Sequence, residues 1–204
     1  MYEMRPAAED DRTAVTDLLQ ARDDWIRQRG LPPSDAVAVR ALIGDSGDDM
    51  TLMVLAEDDE IVGSVVLYAT TPSWGWTASE RAEPSLGLAT MYTHPAHHGG
   101  GLGRLMTLWA LDYAARRTDL QLQWVRGSVH GERLMHHFRD ELGWDDVRHT
   151  RDRSLQRTFQ MQQRPRELPG LRALITSDDP PLATDVCTTE LAPDTSRWAG
   201  QEPT

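Results

Sequence analysis

A chain of 204 residues that is 39% hydrophobic and 26% charged has the composition and length of a globular domain with a proper core and some excess. Its formal charge of −11 argues against nucleic acid and anionic membrane as main partners, since both are gripped through Lys and Arg. No apolar run reaches the ~18 residues of a membrane span, MYEMRPAAEDD has no secretory core, and the lone Cys187 excludes an internal disulfide, so a reducing cytoplasm is expected.

MYEMRP reads as a first short strand ended by Pro6. From Asp11 the apolar residues Ala14, Val15, Leu18, Leu19, Trp25 and Ile26 recur at helical steps, and Gly30 before LPP stops that helix. A second helix is predicted from Ser34, a plausible cap, to Gly44. TLMVLAE and EIVGSVVLY, joined by DDE, form a predicted hairpin. A loop, ATTPSWGWTASERAEPS, leads to a fourth strand, LGLATMYT. The stretch HPAHHGGGLGRLM then opens a long helix with Leu102, Leu105, Met106, Trp109 and Tyr113 on one side. LQLQWVRGSV is a fifth strand, and GERLMHHFRDELGW a short helix ended by Gly143. DDVRHTRDRSLQRTFQMQQ supplies one or two last strands, with Leu155, Phe159 and Met161 loosely alternating. The domain is expected over residues 1–163, with a Pro-, Asp- and Thr-rich extension over 164–204 that drapes over it or frays.

Glycine at Gly99, Gly100, Gly101 and Gly103, between a strand and a helix, describes backbone prepared for close approach to an anion. A nucleoside-triphosphate loop needs a lysine after its last glycine, and the chain contains no lysine. A dinucleotide fingerprint would need glycine at Arg104 or Met106, and it belongs after the first strand of a βαβ unit.

PAHHGGGLG resembles instead the coenzyme A loop of the GNAT-type N-acetyltransferase superfamily, Pro-x-x-Arg/Gln-Gly-x-Gly-x-Gly/Ala. Pro95 takes the leading proline, His98 the Arg/Gln place, and Gly99, Gly101 and Gly103 the small-residue places. The order of elements from Met1 to about Gln163, and the RDELGW ending of the short helix, are similar to that family too. The resemblance implies an α/β fold whose mixed, mostly antiparallel sheet of six to seven strands splays between strands four and five, with helices on both faces. It implies acetyl-CoA as co-substrate, with the N–H groups of His98, Gly99, Gly100, Gly101, Leu102, Gly103 and Arg104 on its pyrophosphate. The backbone of Met91, Tyr92 and Thr93 would pair with the pantetheine arm. A histidine at His98 departs from the family's usual residue, and protonation there would raise coenzyme affinity at low pH.

Amine acetylation requires a neutral amine and often a proton for the leaving thiolate. LGLAT offers no carboxylate, so Glu83 and Glu80, just before it, are the candidate bases, with Glu83 preferred. The family's general acid is a tyrosine in the short helix. With one extra residue before Gly143, that place falls on His137 or Phe138, and only His137 carries a transferable proton. Ser128 could assist through a water. Cys187, in the tail, makes an acyl-cysteine route a poor alternative to direct attack.

The resemblance places acceptor contacts in DDWIRQRGLPP and TPSWGWTASERAE, where Trp25, Trp74 and Trp76 offer aromatic surface and Glu80 a charge for an amine. Trp25 has helical spacing that suits core, whereas Trp74 and Trp76 are expected at the surface. Asp23, Asp24, Glu80 and Glu83 would favour a cation. The expected partner is a small-molecule amine; neither metal, nucleic acid nor membrane is expected, and a homodimer stays open. The rival reading is an acyl-CoA-binding module without catalysis, suggested by the missing tyrosine and strand carboxylate.

Overall fold

The computed structural model describes residues 1–30, 49–151, 157–180 and 182. The predicted helix Ser34–Gly44, Leu155 and Cys187 lie outside the described residues. In chain order the elements are β1 (Tyr2–Pro6), α1 (Arg12–Gln28), β2 (Met50–Glu57), β3 (Glu60–Tyr68), the single turn α2 (Ala78–Arg81), β4 (Ser85–Thr93), α3 (Leu102–Arg116), β5 (Trp124–His130), α4 (Glu132–His136), β6 (Asp145–Arg151), β7 (Arg157–Gln163) and β8 (Ile175–Ser177).

The described strands join one eight-stranded sheet in the order β6-β7-β5-β4-β3-β2-β1-β8. Pairing is antiparallel except between β4 and β5 and between β1 and β8. The eighth strand, beyond the six to seven expected, comes from the segment after Gln163.

The two-residue period of the central strands decides which helix each face meets. Met53, Leu55, Val65 and Leu67 pack with Met106, Trp109 and Ala110 of α3, whereas Leu52, Val54, Ile61 and Val66 pack with Val15, Leu18 and Leu19 of α1. Strands buried on both faces read as nearly unbroken apolar runs, which is why β2 and β3 do. Their hairpin turns at Asp58 and Asp59, both left-handed (φ 48° and 71°), the conformation that matches the twist of the flanking strands.

α3 is enclosed on two sides. Its sheet-facing stripe is joined by buried Leu111, Asp112 and Ala114, which a helix covered only by a sheet would leave in water. The cover is the chain from Arg166 to Pro180, together with Leu182. Asp112, 3% exposed, accepts from the Leu168 amide (2.6 Å) and from Arg116 (2.9 Å). Trp109 Nε1 donates to Ser177 (3.0 Å), and the Tyr113 hydroxyl and Arg117 both donate to the Pro180 carbonyl (3.1 and 3.0 Å). Ile175–Ser177 then runs parallel beside β1. Within the described residues this segment is a strap built into the core, and residue 163 is not where the sheet ends.

Candidate active site

β4 and β5 pair from Ser85↔Trp124 to Leu88↔Gly127 and no further, so the splay lies at that point. Beyond it β5 stays with β7 as far as His130↔Thr158, and β4 stays with β3 as far as Thr93↔Gly63. The β5-facing edge of residues 89–93 therefore has no strand partner among the described residues. A bulge shapes that edge: Thr90 and Met91 together oppose Val65, and Thr90 is left-handed at φ 46°, an uncommon state for a β-branched residue. Met91 points towards α3, where its sulfur lies 3.8 Å from the Thr107 hydroxyl, while Tyr92 points the other way, towards the α1 cluster. Thr93 sits opposite Gly63.

The glycine turn follows at once. His94 caps a short turn by accepting from the Ala96 amide on Nδ1 (3.2 Å). The amides of His98 and Gly100 are spent inside the turn, on Pro95 O (3.1 Å) and His97 O (3.0 Å). That corrects the expectation that every amide from His98 to Arg104 is available. Those of Gly99, Gly101, Leu102, Gly103 and Arg104 have no acceptor among the described residues, and the last three open α3, where the helix dipole is positive.

Gly99 (φ 84°) and Gly101 (φ 73°) need glycine for their backbone. Gly103 does not: its φ is ordinary, and a Cβ there would meet nothing within 4 Å. A helical glycine with room for a methyl group is unfavourable by about 1 kcal/mol unless something outside the protein must come close. The cradle thus fits a diphosphate on the chemistry of its own donors and its open space.

His98 directs its ring to Trp25, 5.8 Å between centroids. Trp25 is half-buried rather than core, and it stands between the guanidinium groups of Arg22 (4.9 Å) and Arg29 (4.0 Å). Helical spacing groups Trp25 with its neighbour Ile26, and it is Ile26, 8% exposed, that takes the buried place.

The loop between β3 and β4 is tied down by two arginines. Arg126 on β5, 1% exposed, donates to Glu83, to the Glu80 carbonyl, to Thr71 Oγ1 (3.2 Å) and to Gln162 Oε1 (3.1 Å), with its guanidinium 4.9 Å from the Trp76 ring centre. Trp76, expected at the surface, is 6% exposed because it lies against that buried cation. Glu83 keeps a half-exposed carboxylate whose Oε1 has no partner among the described residues.

Arg148 on β6 donates to both carboxylate oxygens of Glu80 (3.0 and 2.9 Å) and to Gly75 O (3.1 Å). Hydrogen bonding from Arg148, and then from Thr77, holds the Glu80 carboxyl down at about 2. A base so weak at neutral pH is a poor proton acceptor, and Glu80 acts as a structural tie. Trp74 is left at the loop's tip, 44% exposed, next to Gly75, which packs on Gln160.

α4 runs directly into a wider turn over His137–Glu141, in which the Leu142 amide reaches back five residues to His137 O (3.2 Å). The widening absorbs the extra residue before Gly143. Phe138 turns inward, edge-on to Trp144 at 5.3 Å, while His137 stays partly exposed with Nδ1 2.9 Å from Glu141 Oε2. Ser128 is bonded to Gln160, which donates to Thr150 (2.9 Å), so the floor beyond the splay is a hydrogen-bonded polar ladder. Arg126, Arg148 and the Thr90 bulge escape a reading of the sequence; the one signal for Arg126 is a charge inside the otherwise apolar run WVRGSV.

The model of the Acetyltransferase (GNAT) family matches residues 14–144. An acetyltransferase of the GNAT family from Listeria monocytogenes superposes with a TM-score of 0.62 at 14% identity, over 80% of this chain and 94% of that one. The ribosomal-protein-S18-alanine N-acetyltransferase of Escherichia coli gives 0.57 at 11% identity, over 82% and 96%. The yncA protein of Salmonella typhimurium, solved with its cofactor acetyl-CoA, gives 0.52 at 16% identity, over 82% and 95%. No curated protein sequence matches.

Proposed function

The chain belongs to the GNAT acetyltransferase family and is an acyltransferase, and we propose that it moves the acetyl group of acetyl-CoA onto the primary amine of a small molecule by direct attack. The observation that carries this reading is the adjacency of two backbone surfaces that are unpaired among the described residues. The amides of Gly99, Gly101, Leu102, Gly103 and Arg104 stand at the head of α3, and the β4 edge over 89–93 opens beside them. The first suits a diphosphate and the second an extended amide-bearing arm, which are the two halves of coenzyme A. When bound, acetyl-CoA supplies a thioester, an acyl donor that a neutral amine can attack.

The chain's own groups take the remaining tasks. Gly99, Gly101, Leu102, Gly103 and Arg104 bind the diphosphate, with His98 supporting the turn, and Met91, Tyr92 and Thr93 align the arm. Glu83 takes the ammonium proton on Oε1 while Oε2 stays with Arg126. His137, its Nδ1 occupied by Glu141, keeps Nε2 for delivering a proton to the departing thiolate. Trp74 and Trp25 contact the acceptor, and Trp76 and Glu80 hold the loop that carries Trp74. Residues 1–163 carry the proposed transfer site, and the described chain after them completes the sheet and core behind it. No described helix is long and apolar enough to cross a membrane.

The test is melting temperature with and without acetyl-CoA, then thiol release across a panel of amines. At 100 times its Kd, acetyl-CoA stabilises by roughly 2.7 kcal/mol, a readily measured rise. Thiol release with at least one small amine is expected; binding without release from any amine would leave a silent acyl-CoA module instead.

A further inference from the structure

Among the described arginines, Arg22 alone is withdrawn from solvent and yet lacks a carboxylate. Arg5 has Asp11, Arg116 has Asp112 and Asp179, Arg117 has Asp119, Arg126 has Glu83 and Arg148 has Glu80. The arginines outside such pairs, Arg29, Arg81 and Arg104 among them, are exposed. Arg22 is half-buried, its Nε is sealed from solvent without an acceptor, and burial lowers its pKa from the ordinary value. A chain of charge −11 has anions to spare, so a half-buried cation with a sealed Nε and no carboxylate is open to an anion from outside the chain.

Its position says what that anion belongs to. Arg22 lies on α1 against Trp25 and is electrostatically coupled to Tyr92, which rises from the open part of β4 on the α1 side of the sheet. The buried Ser64 hydroxyl, opposite Tyr92 on β3, has no partner among the described residues either. The diphosphate cradle begins beyond Tyr92, after His94, with five amides of its own. Meanwhile the carboxylates that would attract a polycation are held by arginines: Glu80 on both oxygens by Arg148, Glu83 on one oxygen by Arg126, and Asp24 by Arg27 at 2.5 Å.

Resting on the acetyl-transfer reading, we propose that the acceptor amine also carries an anionic group, a carboxylate or a phosphate, which Arg22 binds. The guanidinium fork donates to two oxygens of that group and supplies the charge they require. Its distance from the reacting centre then selects among amino acids by the spacing of amine and acid.

Two measurements test this. In the first, α-, β- and γ-amino acids are compared with their amides, and phosphoethanolamine with ethanolamine, as acetyl acceptors. A charge-assisted contact is expected to favour an acid over its neutral partner about 10- to 100-fold in kcat/KM, the two pairs telling carboxylate from phosphate. Arg22→Gln should erase the preference by raising the acceptor KM, and Arg22→Lys should restore part of it. Equal rates for acids and amides, or a rise only in the acetyl-CoA KM, would overturn the proposal. In the second, the ¹⁵N signal of Arg22 Nε is followed while N-acetyl amino acids or their amides are titrated. A shift with the anions alone supports the proposal whether or not turnover is found, and a signal indifferent to every anion overturns it. Failure of all amines in the first with an anion-specific shift in the second would sink the transfer reading and keep the anion site.

Discussion

Arg148 and Glu80 meet in a two-pronged ion pair, Nη1 to Oε2 at 3.0 Å and Nη2 to Oε1 at 2.9 Å, that binds the β3–β4 loop to the far side of the sheet. Because the pair holds the Glu80 carboxyl near 2, below its ordinary 4.5, the stabilisation is complete above pH 4.5 and is lost as pH falls towards 2. Melting temperature should thus drop between pH 4.5 and 2 in the wild type, and less steeply in Arg148→Met, with the two curves converging at the acid end. Parallel curves would deny the pair this role.

Gly103→Ala separates the needs of the fold from those of the ligand. The open space at Gly103 admits a methyl group, and alanine is the better helix former by about 1 kcal/mol, so the ligand-free protein should melt a few degrees higher. The rise on adding acetyl-CoA should shrink in the same variant. Gly101→Ala, at φ 73°, should lower both.

His137→Ala is expected to lower kcat by about 10²-fold while the acetyl-CoA KM stays, the pattern of a lost proton donor. Glu141→Gln should give a smaller loss, since it only orients the ring. If both variants turn over as the wild type does, neither residue serves the chemistry.

Asp112→Ala removes the acceptor shared by the Leu168 amide and Arg116, leaving two donors without it. A cost of about 2–4 kcal/mol in unfolding free energy is expected, far more than for a surface aspartate such as Asp145.

The succession of elements along the chain and the glycine turn could be read from the sequence because each rests on a local pattern: runs of Val, Ile and Leu, and glycines between strand and helix. Trp25 and Trp76 exchanged their expected environments because neighbours far along the chain decide burial. Trp76 sits in a polar loop and is covered through Arg126, fifty residues later, while Trp25 obeys the helical period but its neighbour Ile26 takes the buried place. The surplus residue before Gly143 was visible as a spacing. That it is absorbed by a widened turn, Phe138 inward and His137 outward, depends on Trp144 being there to receive the ring. Arg22 carries no mark in the sequence, for nothing local says which arginine will lack a counter-ion.

α3 is secured at its rear by the strap, through Asp112, Trp109 and Tyr113, and its front is the cradle. A helix behaves as a single cooperative rod, so occupancy in front and adhesion behind are thermodynamically linked. Acetyl-CoA should slow hydrogen–deuterium exchange at the amides of Leu168 and Asp178, remote from every atom it touches. Reciprocally, clipping the chain before Arg166 should loosen the grip on the coenzyme, making the carboxy-terminal segment a silent contributor to acyl-donor affinity.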